Sequence, residues 1–280
     1  MPPRPRCEST LLKTEFLTQE AVKLNYQWIS SYKAINIISL DARRSGDMSE
    51  AVERAIECLR KGRFVLVYDF DDRERETDMV MASEFVTPEA IRTMRKDAGG
   101  LICTTSSYEI SQKLQLPFLA DVLACNYDNY PMLRRLAPND IPYDTKSAFS
   151  ITINHRRTFT GITDRDRALT TSEFARLAKY ALENGQEEAR EEFGRNFRSP
   201  GHVHLLNASK ELLVKRKGHT ELCTALVTLA GLTPTATICE MMGDDGNALS
   251  KEKAQEYAER FHLCFLEGKE IIEAWKRGGR

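Results

Sequence analysis

Phe64-Val65-Leu66-Val67-Tyr68 runs into Arg73-Glu74-Arg75-Glu76-Thr77-Asp78. The first segment reads as a buried strand, and the second sets three carboxylates two residues apart just beyond it. In an extended chain alternate residues share a side, so Glu74, Glu76 and Asp78 take one face while Arg73 and Arg75 take the other. Like charges packed that closely repel one another unless something cationic sits among them, and a divalent metal is the obvious filler. A solvated charged turn is the plainer reading of the acidic run taken alone.

Outward from this point, strand and helix signals alternate. A helix is expected from about Met48 to Lys61, with Val52, Ile56 and Leu59 on one side and Gly62 as its stop. Further helices are expected near Pro88 to Lys96, Ser172 to Asn184, Glu221 to Ala230 and Lys251 to Phe261. Strands are expected at 64–70, after Gly99-Gly100-Leu101-Ile102-Cys103, over Ala148 to Ile153, and at Ala236-Thr237-Ile238-Cys239-Glu240. Interleaving of this kind describes a mixed α/β domain. With no internal repeat and no Gly/Ser linker, one domain over 48–280 is preferred to two. Residues 1–47 are Pro-rich and polar without sustained periodicity and read as a poorly ordered N-terminal extension. Met48 is then a candidate start site, which the intact mass of the protein made in its native host would test.

Composition narrows the function classes. The 280 residues are 41% hydrophobic, enough for a substantial core. Forty basic residues against 41 acidic ones leave a net charge of −1, which argues against a nucleic-acid-binding or membrane-surface protein. Seven widely spaced cysteines without a C-x-x-C pair fit a reducing compartment better than a disulfide framework or a structural zinc site. No run is long enough to span a bilayer and the N-terminus lacks a signal-peptide core, so a cytoplasmic location is expected.

Three further segments carry chemistry. Lys215-Arg216-Lys217-Gly218-His219-Thr220 precedes a helix, which Thr220 is placed to cap. Free N–H groups at that helix start, a Gly and flanking cations together suit a phosphate or another small anion, with His219 at the mouth. In Ser199-Pro200-Gly201-His202, Pro and Gly predict a turn that presents His202. Glu240 closes a strand; projected into a cleft it would lose hydration, gain a raised pKa and serve as an acid or base.

Together these segments resemble the 3,4-dihydroxy-2-butanone-4-phosphate synthase family of riboflavin biosynthesis from about Met48 to the C-terminus. Asp72-Arg73-Glu74-Arg75-Glu76-Thr77-Asp78 is similar to the family's D-R-E-N-E-G-D, and Gly100 to Cys103 to its G-L-I-C. Thr160-Gly161-Ile162-Thr163 with Asp166-Arg167 resembles T-G-I-S-x-x-D-R, Pro200-Gly201-His202 resembles P-G-H, Arg216 to Thr220 resembles R-x-G-H-T, and Glu240 stands at the acid of C-E. Arg75 and Thr77 replace the usual Asn and Gly; neither change removes a carboxylate, and Arg75 is expected to point away from the acidic face.

The resemblance implies a three-layer α/β sandwich around a mixed β-sheet, working as a homodimer with active sites near the interface. It implies a lyase that converts D-ribulose 5-phosphate to L-3,4-dihydroxy-2-butanone 4-phosphate plus formate, with Mg²⁺ or Mn²⁺ held by Glu74 and His219. Arg73, Glu74, Asp78, Arg216, Lys217, Gly218, His219, Thr220 and Glu240 would bind substrate, and Glu76, His202 and Glu240 are the implied acid–base residues. Cys103 is expected to pack in the core. Two other classes fit parts of the pattern: another metal-dependent sugar-phosphate enzyme such as an isomerase or aldolase, which would release no formate, and an RNA-binding module, which the charge balance disfavours.

Overall fold

The computed structural model describes residues 48–278. The expected extension at 1–47 lies outside the described residues. Helix α1 (Glu50–Arg60) starts where Ser49 accepts the Val52 N–H, and it buries Val52, Ala55, Ile56 and Leu59. Gly62, at φ +64°, then turns the chain into the sheet.

Seven strands form one mixed sheet: β1 (Val65–Tyr68), β2 (Thr77–Ala82), β3 (Cys103–Ser106), β4 (Phe149–His155), β5 (Phe197–Asn207), β6 (Ala236–Glu240) and β7 (Cys264–Glu267), in the order β4-β5-β3-β6-β2-β1-β7. The β1–β7 and β3–β5 pairs are parallel and the others antiparallel. Between them run α2 (Pro88–Thr93), α3 (Tyr108–Leu114), α4 (Leu119–Ala124), α5 (Pro131–Arg135), α6 (Asp164–Glu183), α7 (Gln186–Asn196), α8 (His219–Leu229), α9 (Lys251–Phe261) and α10 (Gly268–Gly278).

Every position of β1 and β2 is buried, because both faces of the sheet are covered. On one face Val65, Val67, Val80 and Ile238 pack against α1, α8 and α10 through Leu59, Leu222, Leu226 and Ile271. On the other, Leu66, Met79, Met81 and Cys239 meet Ile91 and Met94 and, from α9, Ala254 and Ala258. A third cluster lies at the β4–β5 side, where Ile153, Val203 and Leu205 pack on Ile110 of α3, Phe174 of α6 and Ala189 of α7. The expected sandwich of helix, sheet and helix is therefore present. Each fully buried Leu, Ile or Phe contributes roughly 1.5–3 kcal/mol.

Three local expectations need correction. The helix expected at Ser172 begins eight residues earlier, at Asp164, because Thr163 accepts the Asp166 N–H and two acids sit in the first turn. Ser199 to His202 falls within β5 rather than in a separate turn, but four residues lie between the Asn154–Arg198 and Ile153–Val203 pairs, so the Pro-Gly signal appears as a break in the β4–β5 ladder. Thr220 lies inside α8, and the N-cap is Gly218, with no side-chain cap bond.

Candidate active site

At one end of the sheet β1 stops, β2 starts and β6 stops. Asp78 and Glu240 are directly opposite across the β2–β6 pair, so their side chains leave the same face. The N-terminus of α8 lies over that end and places His219 among them. Glu74, Glu76, Asp78, Arg216, His219, Thr220 and Glu240 all line one cleft of about 280 Å³.

The acidic run converges on this cleft by a different geometry from the one expected. Residues 71–74 form a turn rather than an extended stretch. Asp69, the first residue past β1, organises that turn: its two carboxylate oxygens accept the backbone N–H groups of Glu74 at 3.0 Å and Glu76 at 3.1 Å. Arg75 is the residue in the left-handed region, at φ 60°, and it is exposed as expected, bonding back to the Asp71 carbonyl. Thr77, where conformational freedom was in question, is an ordinary buried strand residue.

His219 is held by Glu74 Oε2 3.2 Å from its Nδ1 and by the Glu76 carbonyl 3.2 Å from its Nε2; Asp78 Oδ1 lies 3.7 Å from Nε2. Burial opposes its charged form, but Asp78, Glu74 and Asp69 outweigh that and lift His219 from 6.5 to about 9. Burial, with Glu240, Glu74 and Glu76 adding to it against His219, raises Asp78 from 3.8 to about 8. Burial would also raise Glu74, yet its bonds to His219 and Arg73 win and lower it to about 2. Glu76 is shifted upward by burial and by Glu74 and Glu240. The acidic run thus sets Glu74, held low, beside Asp78, held high, the separation that acid–base chemistry at neutral pH requires.

Glu240 accepts the Leu101 N–H at 2.8 Å, and its carbonyl accepts that of Gly100 at 3.0 Å. A Cβ on Gly100 would come within 2.5 Å of the Glu240 carboxylate, so only glycine admits this approach.

Asp69, Glu74 and His219 offer ligand atoms within 4.8 Å of one another. Both Asp69 oxygens already accept loop N–H groups, whereas Glu74 and His219 open onto the cleft. Asp78 Oδ1 is buried with no hydrogen-bond partner. An ionised carboxylate, an imidazole and an unsatisfied buried carboxyl oxygen suit a hard divalent cation.

Not every expected residue gathers here. Lys217 is exposed and is not among the residues lining the cleft. His202 also lies outside it, exposed, with its Nδ1 3.1 Å from Asn154 Nδ2. The β3–β5 register, Cys103 opposite His204, nonetheless puts His202 at the same end of the sheet as Glu240, two strands across, or about 10 Å at the usual strand spacing. Cys103 is buried in the core.

Sequence reading missed Asp69, Tyr143, Asp144 and Glu221. Tyr143 stacks on Arg73 at 5.1 Å, and Asp144 and Glu221 both pair with Arg216. Asp69 was accessible as the carboxylate that ends the apolar run. Asp144 had no local signal, because its partners lie some 70 residues away in either direction.

The family model for 3,4-dihydroxy-2-butanone 4-phosphate synthase matches residues 53–274. The 3,4-dihydroxy-2-butanone 4-phosphate synthase of Methanothermobacter thermautotrophicus is 52% identical over 225 residues, covering 80% of this chain and 95% of that protein. The riboflavin biosynthesis protein RibBA of Bacillus velezensis is 34% identical over 226 residues, covering 81% of this chain and 49% of that longer protein. A crystal structure of 3,4-dihydroxy-2-butanone 4-phosphate synthase in complex with two magnesium ions superposes with a TM-score of 0.63 at 27% identity, over 82% of this chain and 98% of that one. A carboxylate-lined cleft at a strand end, on a fold shared with these enzymes and under a match spanning nearly all the described residues, places the chain in the 3,4-dihydroxy-2-butanone 4-phosphate synthase family.

Proposed function

We propose the following division of labour in the cleft for the synthase reaction of this family, in which D-ribulose 5-phosphate yields L-3,4-dihydroxy-2-butanone 4-phosphate and formate. Glu74 and His219 hold the divalent ion, Mg²⁺ or Mn²⁺, because they are the ligand atoms that open onto the cleft. When bound, the ion supplies positive charge beside the substrate oxygens that turn anionic as a proton leaves C1. Arg73, Arg216 and the backbone at Gly218 bind the phosphate; Asp78, Thr220 and Glu240 face the sugar, and Lys217 adds only distant positive charge.

Proton traffic falls to Glu76, Glu240 and His202. Removal of the C1 proton gives an enediol, loss of water follows, the carbon skeleton shifts, and a water added back at C4 lets that carbon leave as formate, so that no water is gained or lost overall. Several of these steps need both a proton acceptor and a donor. Glu76, already displaced toward proton retention, suits a donor role, while the Glu240 carboxylate is oriented by the Leu101 N–H toward the same cleft.

The working unit is a homodimer that closes beside His202. Phe159 is 94% exposed and Ile162 51% exposed on the loop that contacts Asn154, which also binds His202. Such an apolar tip beside a functional histidine fits an interface between copies. The expectation of a single catalytic domain from residue 48, in the cytoplasm, belongs to the same reading; among the described residues no helix is long and apolar enough to cross a membrane.

The observation that carries the assignment is the convergence of Glu74, Glu76, Asp78, His219 and Glu240 on one cleft. Formate release from ribulose 5-phosphate by the purified protein, with Mg²⁺ and then with excess chelator, tests it. Metal-dependent formate is expected; a folded protein that releases none under either condition sinks the proposal.

A further inference from the structure

Two guanidiniums, Arg216 in the lining of the cleft and Arg73 beside its lining residues Glu74 and Tyr143, are already engaged by the protein's own carboxylates. Arg73 Nη1 bonds Glu74 at 2.8 Å and Asp69 at 3.3 Å, and its Nη2 reaches Asp144 Oδ2 at 3.4 Å. Arg216 Nη1 bonds Glu221 at 2.6 Å, and its Nε bonds the same Asp144 oxygen. Among the described residues, Asp144 is the one acceptor that both cations share.

These carboxylates differ in how firmly they are held. The side chains of Asp69 and Glu221 are wholly buried; Asp69 ties two loop N–H groups, and Glu221 also accepts the Ser209 N–H at 3.0 Å from within α8. Glu74 is bound to His219. Asp144 instead sits 13% exposed on residues 137–148, a connection without helix or strand. A second anion can therefore reach both guanidiniums most readily where Asp144 gives way.

Its position is also one that favours an anion. A Cβ on Gly218 would stand 2.3 Å from Arg216 Nη1 and 2.8 Å from Arg73 Nη2, so both guanidiniums close over the N-cap of the 11-residue helix α8. Free N–H groups and the helix dipole there add to the two side-chain charges.

We propose that Asp144 is an internal stand-in for the phosphoryl group of the substrate. It neutralises Arg73 and Arg216 in the free protein and is displaced when a phosphate monoester binds, and this exchange makes the site selective. A dianion with three acceptor oxygens satisfies both guanidinium forks better than one shared carboxylate, whereas an unphosphorylated ketose offers nothing to replace Asp144. The proposal rests on the reading of the cleft as a sugar-phosphate site.

The test uses the full chain and its Asp144→Asn variant, with inorganic phosphate as the probe. Inhibition of formate release and direct calorimetry both report its affinity. With the competing charge removed, the KM for ribulose 5-phosphate and the Ki of phosphate should fall together by about tenfold, the scale of one partly exposed charge-assisted bond, without a rise in kcat. Unchanged or weaker phosphate binding in a variant that melts like the wild type overturns the exchange.

Hydrogen exchange of residues 141–147 in the wild type gives an answer that needs no variant. Faster exchange on adding phosphate is expected, and unchanged or slower exchange contradicts the displacement. Arg216→Met separates the two levels of the argument. If it leaves phosphate affinity intact, the phosphate site itself is misplaced; if it weakens phosphate while Asp144→Asn does not strengthen it, only the exchange fails.

Discussion

If His219 holds the ion as proposed, raising the pH should tighten Mg²⁺ binding steeply, because that imidazole is protonated in the metal-free protein. His219 titrates at about 9 there, raised from 6.5 by the carboxylates of Asp78, Glu74 and Asp69 against the effect of burial. An imidazole ligand must be neutral. At pH 7, about two units below that value, only about 1% of the sites are ready, so apparent affinity is roughly 100-fold below its limit. Affinity should climb about tenfold per pH unit from 7 to 8 and level off near 9.

The sign for folding is the reverse. A pKa raised in the folded state stabilises the metal-free protein fully below 6.5, and that contribution is lost as pH rises through about 9. The metal-free protein should therefore melt at lower temperature across this window while the Mg²⁺-bound protein does not. Calorimetric titration of Mg²⁺ between pH 7 and 9, in buffers of different ionisation enthalpy, measures both affinity and protons released. His219→Asn should bind weakly with little pH dependence. A wild-type Kd that is flat over this range, with no proton released, would refute the ligand assignment or the charge state of His219.

Other expectations follow from the same geometry. Glu240→Gln keeps the shape of the side chain but not its basicity, so turnover should fall by at least the roughly 10²–10⁴-fold that a general acid–base group contributes while ribulose 5-phosphate still binds; wild-type turnover would strip Glu240 of its role. His202→Asn should lower kcat more than it raises KM, and a variant with unaltered kcat would leave His202 with only its Asn154 contact. Arg75 holds a left-handed backbone that Asn adopts more easily, so Arg75→Asn should stabilise the fold by about 0.5–1 kcal/mol in denaturant titrations. A loss of stability there would mean that the bond from Arg75 to the Asp71 carbonyl outweighs backbone strain.

The strands and helices that frame the cleft were legible because their signals are local. The apolar run at Val65–Tyr68, the periodicity of α1 and the acid closing β6 each lie within a dozen residues. The site residues were legible as a set only through several motifs in one order, since an acidic hexapeptide or a basic turn alone is compatible with plain surface structure. Local reading failed where distant pairing outweighed local preference. Pro200 and Gly201 signal a turn, yet the chain keeps them within β5 as a bulge between the Asn154–Arg198 and Ile153–Val203 pairs. Thr220 is a good capping residue, yet the chain caps α8 at Gly218, where a side chain would collide with Arg216 and Arg73.

Residue order alone settles the inventory: a mixed α/β chain with carboxylates, imidazoles and guanidiniums in a recognisable succession. Which of them share a cleft was decided only in three dimensions. Asp78 and Glu240, 162 positions apart, become cross-strand neighbours through the β2–β6 register, and Asp144 joins Arg73 and Arg216 from about 70 residues on either side. Charge states were decided there too, because a pKa depends on burial and on neighbours within a few ångströms. Glu74 at about 2 and Asp78 at about 8 carry the same functional group four residues apart.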